Sequence, residues 1–136
     1  MEHLRAFFNR YEAAFNAVDP EALAQMYTDQ LLMASLDYCT CSQNDDEFRN
    51  ILASTAHIYC DGGMRAIRIH NYTESPLDDH FYLVQIEWKL FRMDGGELIT
   101  FDNTYLVRVV DGIPKIAFLI AHNEQQRMRE SGLLPA

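Results

Sequence analysis

Four side chains stand where an apolar setting would tune their chemistry. Tyr11 lies in a run where Leu4, Phe7, Phe8, Tyr11, Phe15 and Val18 recur at three- and four-residue steps, so they share one helical face. A phenol on such a face gives its hydroxyl either to the backbone or to a guest. Asp37 sits inside the apolar stretch "MASLDYC". A buried carboxylate must be partnered, protonated or brought out at a strand end, and a base with a raised pKa is one of these solutions. His122 follows Ile116, Phe118 and Ile120 at two-residue steps, which places it on their face at the end of a strand. Turned inward it is an acid/base near neutral pH; turned outward it is a rim histidine bonded to the start of the next segment, "NEQ". Trp88 belongs to the most apolar strand row, where it is a flat wall for a ring-shaped ligand, a core residue, or part of a surface between two copies. An Asp37/His122 pair could move a proton within an enolisable substrate while Tyr11 or Tyr105 stabilises the oxyanion.

Other chemistries find little support. Cys39 and Cys41 in "CTC" make one ligand pair at most, and His70, His80 and His122 lack helical two-His spacing, so no metal and no cofactor is expected. There is no G-x-S-x-G, P-loop or G-x-G-x-x-G pattern. The three cysteines are an odd number, which fits free thiols in a reducing compartment. A formal charge of −9 disfavours nucleic acid and anionic membrane surfaces as partners. The amphipathic start "MEHLRAFFNRYE" holds no secretory apolar core, and no apolar run reaches the roughly 18 residues of a membrane span. These features read as a soluble cytoplasmic protein.

The elements that must position these groups follow from periodicity. Glu2, Arg5, Asn9, Glu12 and Asn16 take the face of the first helix opposite the apolar one. "VDPEA" stops it and starts a second, with Asp19 as cap and Pro20 in the first turn. Leu23, Met26 and Tyr27 give that helix a short apolar stripe, and "TDQ" ends it. "LLMASLDYCTCS" reads as a strand. "NDDEF" is a capping signal, with Asn44 as cap and Glu47 reaching back; Phe48, Ile51, Leu52, Thr55 and Tyr59 then share a face of a third helix that Gly62-Gly63 closes. From "MRAIRIHNY" the period becomes two. "HFYLVQIEWKLFR" alternates most clearly, with Tyr82, Val84, Ile86, Trp88 and Leu90 on one side. "MDGGE" and "DGIP" turn into "LITFDNTYLVRVV" and "KIAFLIAH"; "NEQQRMRES" is a short polar helix. The reading is one α+β domain over residues 1–136, three helices packed in the concave face of a curved antiparallel sheet, with a short C-terminal helix. A twisted sheet of this length leaves a hollow under the helices, apolar with a few polar points.

The order of elements and the segment "RYEAAFNAVDPEALAQMYTD" resemble the nuclear transport factor 2-like superfamily, of cystatin-like fold. Its members include ketosteroid isomerases and SnoaL-like polyketide cyclases. The gap from Tyr11 to Tyr27 is the one found in the isomerase branch. The resemblance implies a helix-1 tyrosine, here Tyr11, that donates to a developing enolate oxygen. Where that branch has its general-base aspartate this chain has Ser35, with Asp37 two residues on along the same strand face. Where the branch has its second acid, three residues before an arginine, this chain has Tyr105 before Arg108. The resemblance thus implies a cone containing Tyr11, Tyr27, Ser35, Asp37, Trp88, Tyr105 and His122. It would serve a cofactor-free isomerase, cyclase or lyase acting on a small apolar ligand. The alternative is a non-catalytic binding or interaction domain, and in either case a homodimer formed through the sheet is expected.

Overall fold

The computed structural model describes residues 3–135. Helix α1 spans Leu4–Asn16 and buries Leu4, Phe7, Phe8, Tyr11 and Phe15, the stripe that the three- and four-residue spacing requires. It ends where Val18 turns to φ 51°, a left-handed conformation that a β-branched residue enters only under strain. Helix α2, Pro20–Ala24, is capped by Asp19, whose Oδ1 accepts from Ala22 N at 3.0 Å. Tyr27 does not belong to α2. It opens strand β1, Tyr27–Ala34. Helix α3, Asp46–Asp61, is capped by Asp45, which accepts from Phe48 N at 3.0 Å. The expected cap, Asn44, instead donates through Nδ2 to Ala24 O at 2.7 Å and ties the end of α2 to the start of α3.

Strands β2 (Cys39–Gln43), β3 (Met64–Pro76), β4 (Phe81–Arg92), β5 (Glu97–Val110) and β6 (Ile113–Ala121) complete one sheet in the order β2-β1-β6-β5-β4-β3, and helix α4 covers Glu124–Glu130. Four of the five neighbouring pairs are antiparallel; β1 and β6 run parallel. Turn signals report only strands adjacent in sequence, so this pairing of distant strands left no local trace. β-bulges interrupt the β3/β4, β4/β5 and β5/β6 ladders. Each adds local twist and bends the sheet round the helices.

The concave face carries the core. Val84, Ile86, Trp88 and Leu90 of β4 are buried, as are Phe101, Asn103, Tyr105, Val107 and Val109 of β5. Helix α1 lies on this face, with the Phe8 ring 5.0 Å from that of Tyr105. The row containing Trp88 is therefore turned toward the helices and is not available to a second copy. The polar side of α1 is also engaged. Glu12 Oε2 accepts from Ile69 N at 2.7 Å; Asn16 accepts from Ile67 N at 2.7 Å and donates to Ile67 O at 3.0 Å. Glu12 and Asn16, one helical turn apart, thus occupy backbone groups of β3, an edge strand whose free groups would otherwise invite pairing.

Candidate functional site

Under α1 and α3 the sheet leaves a cavity of about 280 Å³. Its walls come from α1 (Tyr11, Phe15), the inner faces of β4 and β5 (Trp88, Phe101, Asn103, Tyr105), and one side of α3 (Ile51, Leu52, Thr55, Ile58). Glu124 and Met128 of α4 and Leu134 close the remaining side. Ile51 stays 44% exposed although α3 is amphipathic. Its side chain lines the hollow instead of filling a core.

Four aromatic residues form two hydrogen-bonded pairs along one wall. Trp88 Nε1 donates to the Tyr105 hydroxyl at 2.9 Å, and Asn103 Nδ2 donates to the same oxygen at 3.2 Å. Tyr11 and Tyr27 hydroxyls lie 2.6 Å apart. Loss of solvent is the largest cause that pushes the phenols of Tyr11, Tyr27 and Tyr105 well above their ordinary range. All three remain neutral hydrogen-bond donors at any physiological pH.

The further polar groups on the cavity wall include Glu124 and Asn103. Tyr59, fully buried, donates its hydroxyl to Glu124 Oε2. Burial raises the Glu124 carboxyl above its usual pKa, and the Tyr59 hydrogen bond offsets part of that rise. Asn103 is 6% exposed, and its Oδ1 has no hydrogen-bond partner. A buried carbonyl oxygen in this condition loses about 1–3 kcal/mol. Asn103 pairs with Ala121 across the ladder, and Asp102 N donates to Asn123 Oδ1 at 2.9 Å, one residue before Glu124. Asn103 and Glu124 therefore belong to the same end of the cavity.

The residues singled out from sequence separate into two groups. Tyr11, Tyr27, Trp88 and Tyr105 all line the cavity. Ser35, Asp37 and His122 do not. They lie together in a shallow groove outside it, which shares Ala121, Glu124 and Gln125 with the cavity wall. Strand β1 ends at Ala34, and Ser35 N bonds Tyr38 O at 2.8 Å across a bend, so strand alternation no longer governs Asp37. Its carboxylate is exposed and stands 3.9 Å from Arg129 Nη2, while its backbone N–H donates to Ser35 Oγ at 3.1 Å. His122 is exposed beyond the end of β6, its Nε2 2.7 Å from Thr104 Oγ1. The bulge after Leu106 shifts the register. Ile116 points inward, yet Leu119 and Ala121 line the cavity, so Phe118, Ile120 and His122 take the outer face.

Asn103 and Glu124 are the groups that sequence reasoning passed over, and both left a signal. Asn103 interrupts the inward two-residue row Phe101, Tyr105, Val107 and Val109. Glu124 lies one helical turn from Met128, the buried residue of α4.

Comparison with known proteins agrees with this architecture. No functionally curated protein matches the chain. Aln2 from a Streptomyces species superposes with a TM-score of 0.71 at 13% identity, over 93% of this chain and 92% of that one. An NTF-2 like protein of unknown function from Shewanella oneidensis gives 0.66 at 21% identity, over 88% and 95%. An ntf2-like protein with a cystatin-like fold from Novosphingobium aromaticivorans gives 0.68 at 16%, over 89% and 79%. At these identities the likeness is one of fold. Residues 2–124 match the profile of one family, and the chain belongs to it: the NTF2-like proteins of the DUF6841 family.

Proposed function

We propose that this domain holds a small, mainly apolar molecule in the cavity, with Tyr11, Tyr27, Trp88 and Tyr105 forming its wall. The observation that carries this reading is a 280 Å³ hollow walled by aromatic rings and bordered at one end by Glu124 and by Asn103, a buried amide whose carbonyl oxygen has no protein partner. Cores rarely tolerate such an atom, whereas ligand sites are apolar hollows with a few placed polar groups. The test is a thermal-shift and native mass spectrometry series with neutral ring compounds, run beside Leu52→Trp. Leu52 is half-exposed on the cavity wall, so a larger ring there fills the space without crowding the core. Binding that persists undiminished in Leu52→Trp places the ligand elsewhere.

A second reading is favoured by the position of Glu124. A carboxyl with a raised pKa, bonded to Tyr59 inside an apolar cavity, is suited to cofactor-free proton transfer of the isomerase, cyclase or lyase kind. In this reading Glu124 takes the role expected of Asp37 and His122. NMR would follow deuterium exchange next to the carbonyl of a ring ketone. Glu124→Gln should remove any catalysed exchange while leaving binding intact, and exchange at the wild-type rate would remove Glu124 from the mechanism.

The homodimer belongs to this proposal as well. Leu106 and Phe118 stand opposite one another, Phe118 opposite Leu32, and Leu83 opposite Leu106. This apolar patch on the outer sheet face suits a second copy. Light scattering on Leu106→Asp tests it, since a dimer unaffected by that charge uses another surface.

A further inference from the structure

The charge inventory of the cavity is one-sided, and the imbalance names a ligand class. Among its described lining residues there is no Lys, Arg or His. Trp88 and Asn103 both donate to Tyr105, whose own proton stays available, and the single bond between the Tyr11 and Tyr27 hydroxyls uses one of their two protons, so the tyrosines and the Gln125 amide supply neutral donors only. The one carboxyl among those lining residues is Glu124, at the end where Asn103 Oδ1 has no protein partner. The walls are aromatic. Tyr11 stands 5.8 Å from Trp88, 6.0 Å from Tyr105 and 6.1 Å from Tyr27, ring centre to ring centre. Aromatic faces attract cations, and the chain's net charge of −9 draws them to the molecule.

We propose that the cavity takes a small primary amine in its ammonium form. The N–H groups bond Asn103 Oδ1 and the Glu124 carboxylate, and the apolar body lies among Tyr11, Trp88 and Phe15. This rests on the reading of the cavity as a ligand site and adds the charge and hydrogen-bonding sense of the ligand. An ammonium alone in such a space would be costly, but Glu124 supplies the opposite charge, and ion pairing keeps its carboxyl ionised. A carboxylate or phosphate ligand would meet the Glu124 carboxyl and no cation. Size sets a further limit. A cavity of about 150 Å³ holds benzene, so 280 Å³ suits a body of roughly 10–12 non-hydrogen atoms.

The test compares three probes of nearly one shape by calorimetry and NMR: 2-phenylethylammonium, 2-phenylethanol and phenylacetate. The ammonium should bind at least tenfold more tightly than the alcohol, and phenylacetate should not bind. Glu124→Gln, which keeps an acceptor for Tyr59, and Asn103→Leu should each weaken the ammonium at least tenfold and change the alcohol far less. An alcohol that binds as well as the ammonium overturns the amine assignment and leaves the ligand-site reading standing. A series in which none of the three binds sinks both. The comparison on the wild-type chain decides the matter even where a variant fails to fold.

Discussion

Asn103→Leu should make this protein more stable and less able to bind. Leucine keeps the heavy-atom count and branching of asparagine, and its bulkier end groups have the hollow that Asn103 borders to extend into. It removes an orphaned acceptor, Oδ1, whose burial costs about 1–3 kcal/mol. It also removes the 3.2 Å hydrogen bond from Nδ2 to Tyr105, which contributes about 0.5–1.5 kcal/mol. Tyr105 keeps the Trp88 donor at 2.9 Å, so no new unsatisfied group appears. The balance is a gain of about 1 kcal/mol, which for a chain of 136 residues raises the melting temperature by roughly 3–4 °C. Urea denaturation of the ligand-free protein is the assay, with the slope unchanged and the midpoint moved upward. A lower midpoint would mean that Oδ1 is satisfied in solution, and the case for a ligand at that atom would collapse. Polar groups kept in a core against stability are the expected mark of a functional site.

Three other outcomes follow from the structure. Glu124 has a folded pKa raised above its ordinary 4.5, so its contribution to stability is fully present below that value and falls as pH rises through the folded pKa. Glu124→Gln should flatten the stability profile over that window, as read by urea melts at several pH values; a profile identical to wild type would mean the carboxyl is solvated. Asn16→Ala should cost about 1–3 kcal/mol, because it frees the N–H and C=O of Ile67 that Asn16 holds at 2.7 and 3.0 Å, and a loss under about 0.3 kcal/mol would show that water replaces the amide. At Gly62 an added methyl would lie 1.9 Å from Leu133 Cδ2. Gly62→Ala should therefore cost about 1 kcal/mol although alanine favours the helix end, and in a Leu133→Ala background the same change should become neutral or stabilising. A cost that is the same in both backgrounds would refute the contact.

The parts of this molecule that can be read in advance are those whose period is unbroken. The apolar side of α1, from Leu4 to Phe15, and the β4 row through Trp88 are buried as their spacing requires. Illegibility begins where a local rule is interrupted. The bend after Ala34 carried Asp37 off its strand. The bulge in the β5/β6 ladder moved Phe118, Ile120 and His122 to the outer face. The use of Glu12 and Asn16 on the β3 edge depends on a distant backbone, which no helical periodicity reports. Asn103 and Glu124 were legible in principle, one as a polar break in an inward row and the other as the turn-mate of a buried methionine. Each looks ordinary until the neighbouring strand or helix face is known.

The backbone N–H groups of Leu133 and Leu134 both bond Met128 O, at 2.8 and 3.2 Å, and Leu134 forms part of the cavity wall. This short segment is held by two hydrogen bonds and by a pair of leucines packed against the core. A guest packed against it should give those two amides a slower exchange with deuterated water. Occupancy of the hollow can thus be followed at Leu133 and Leu134 even while the chemistry of the guest is still being sought.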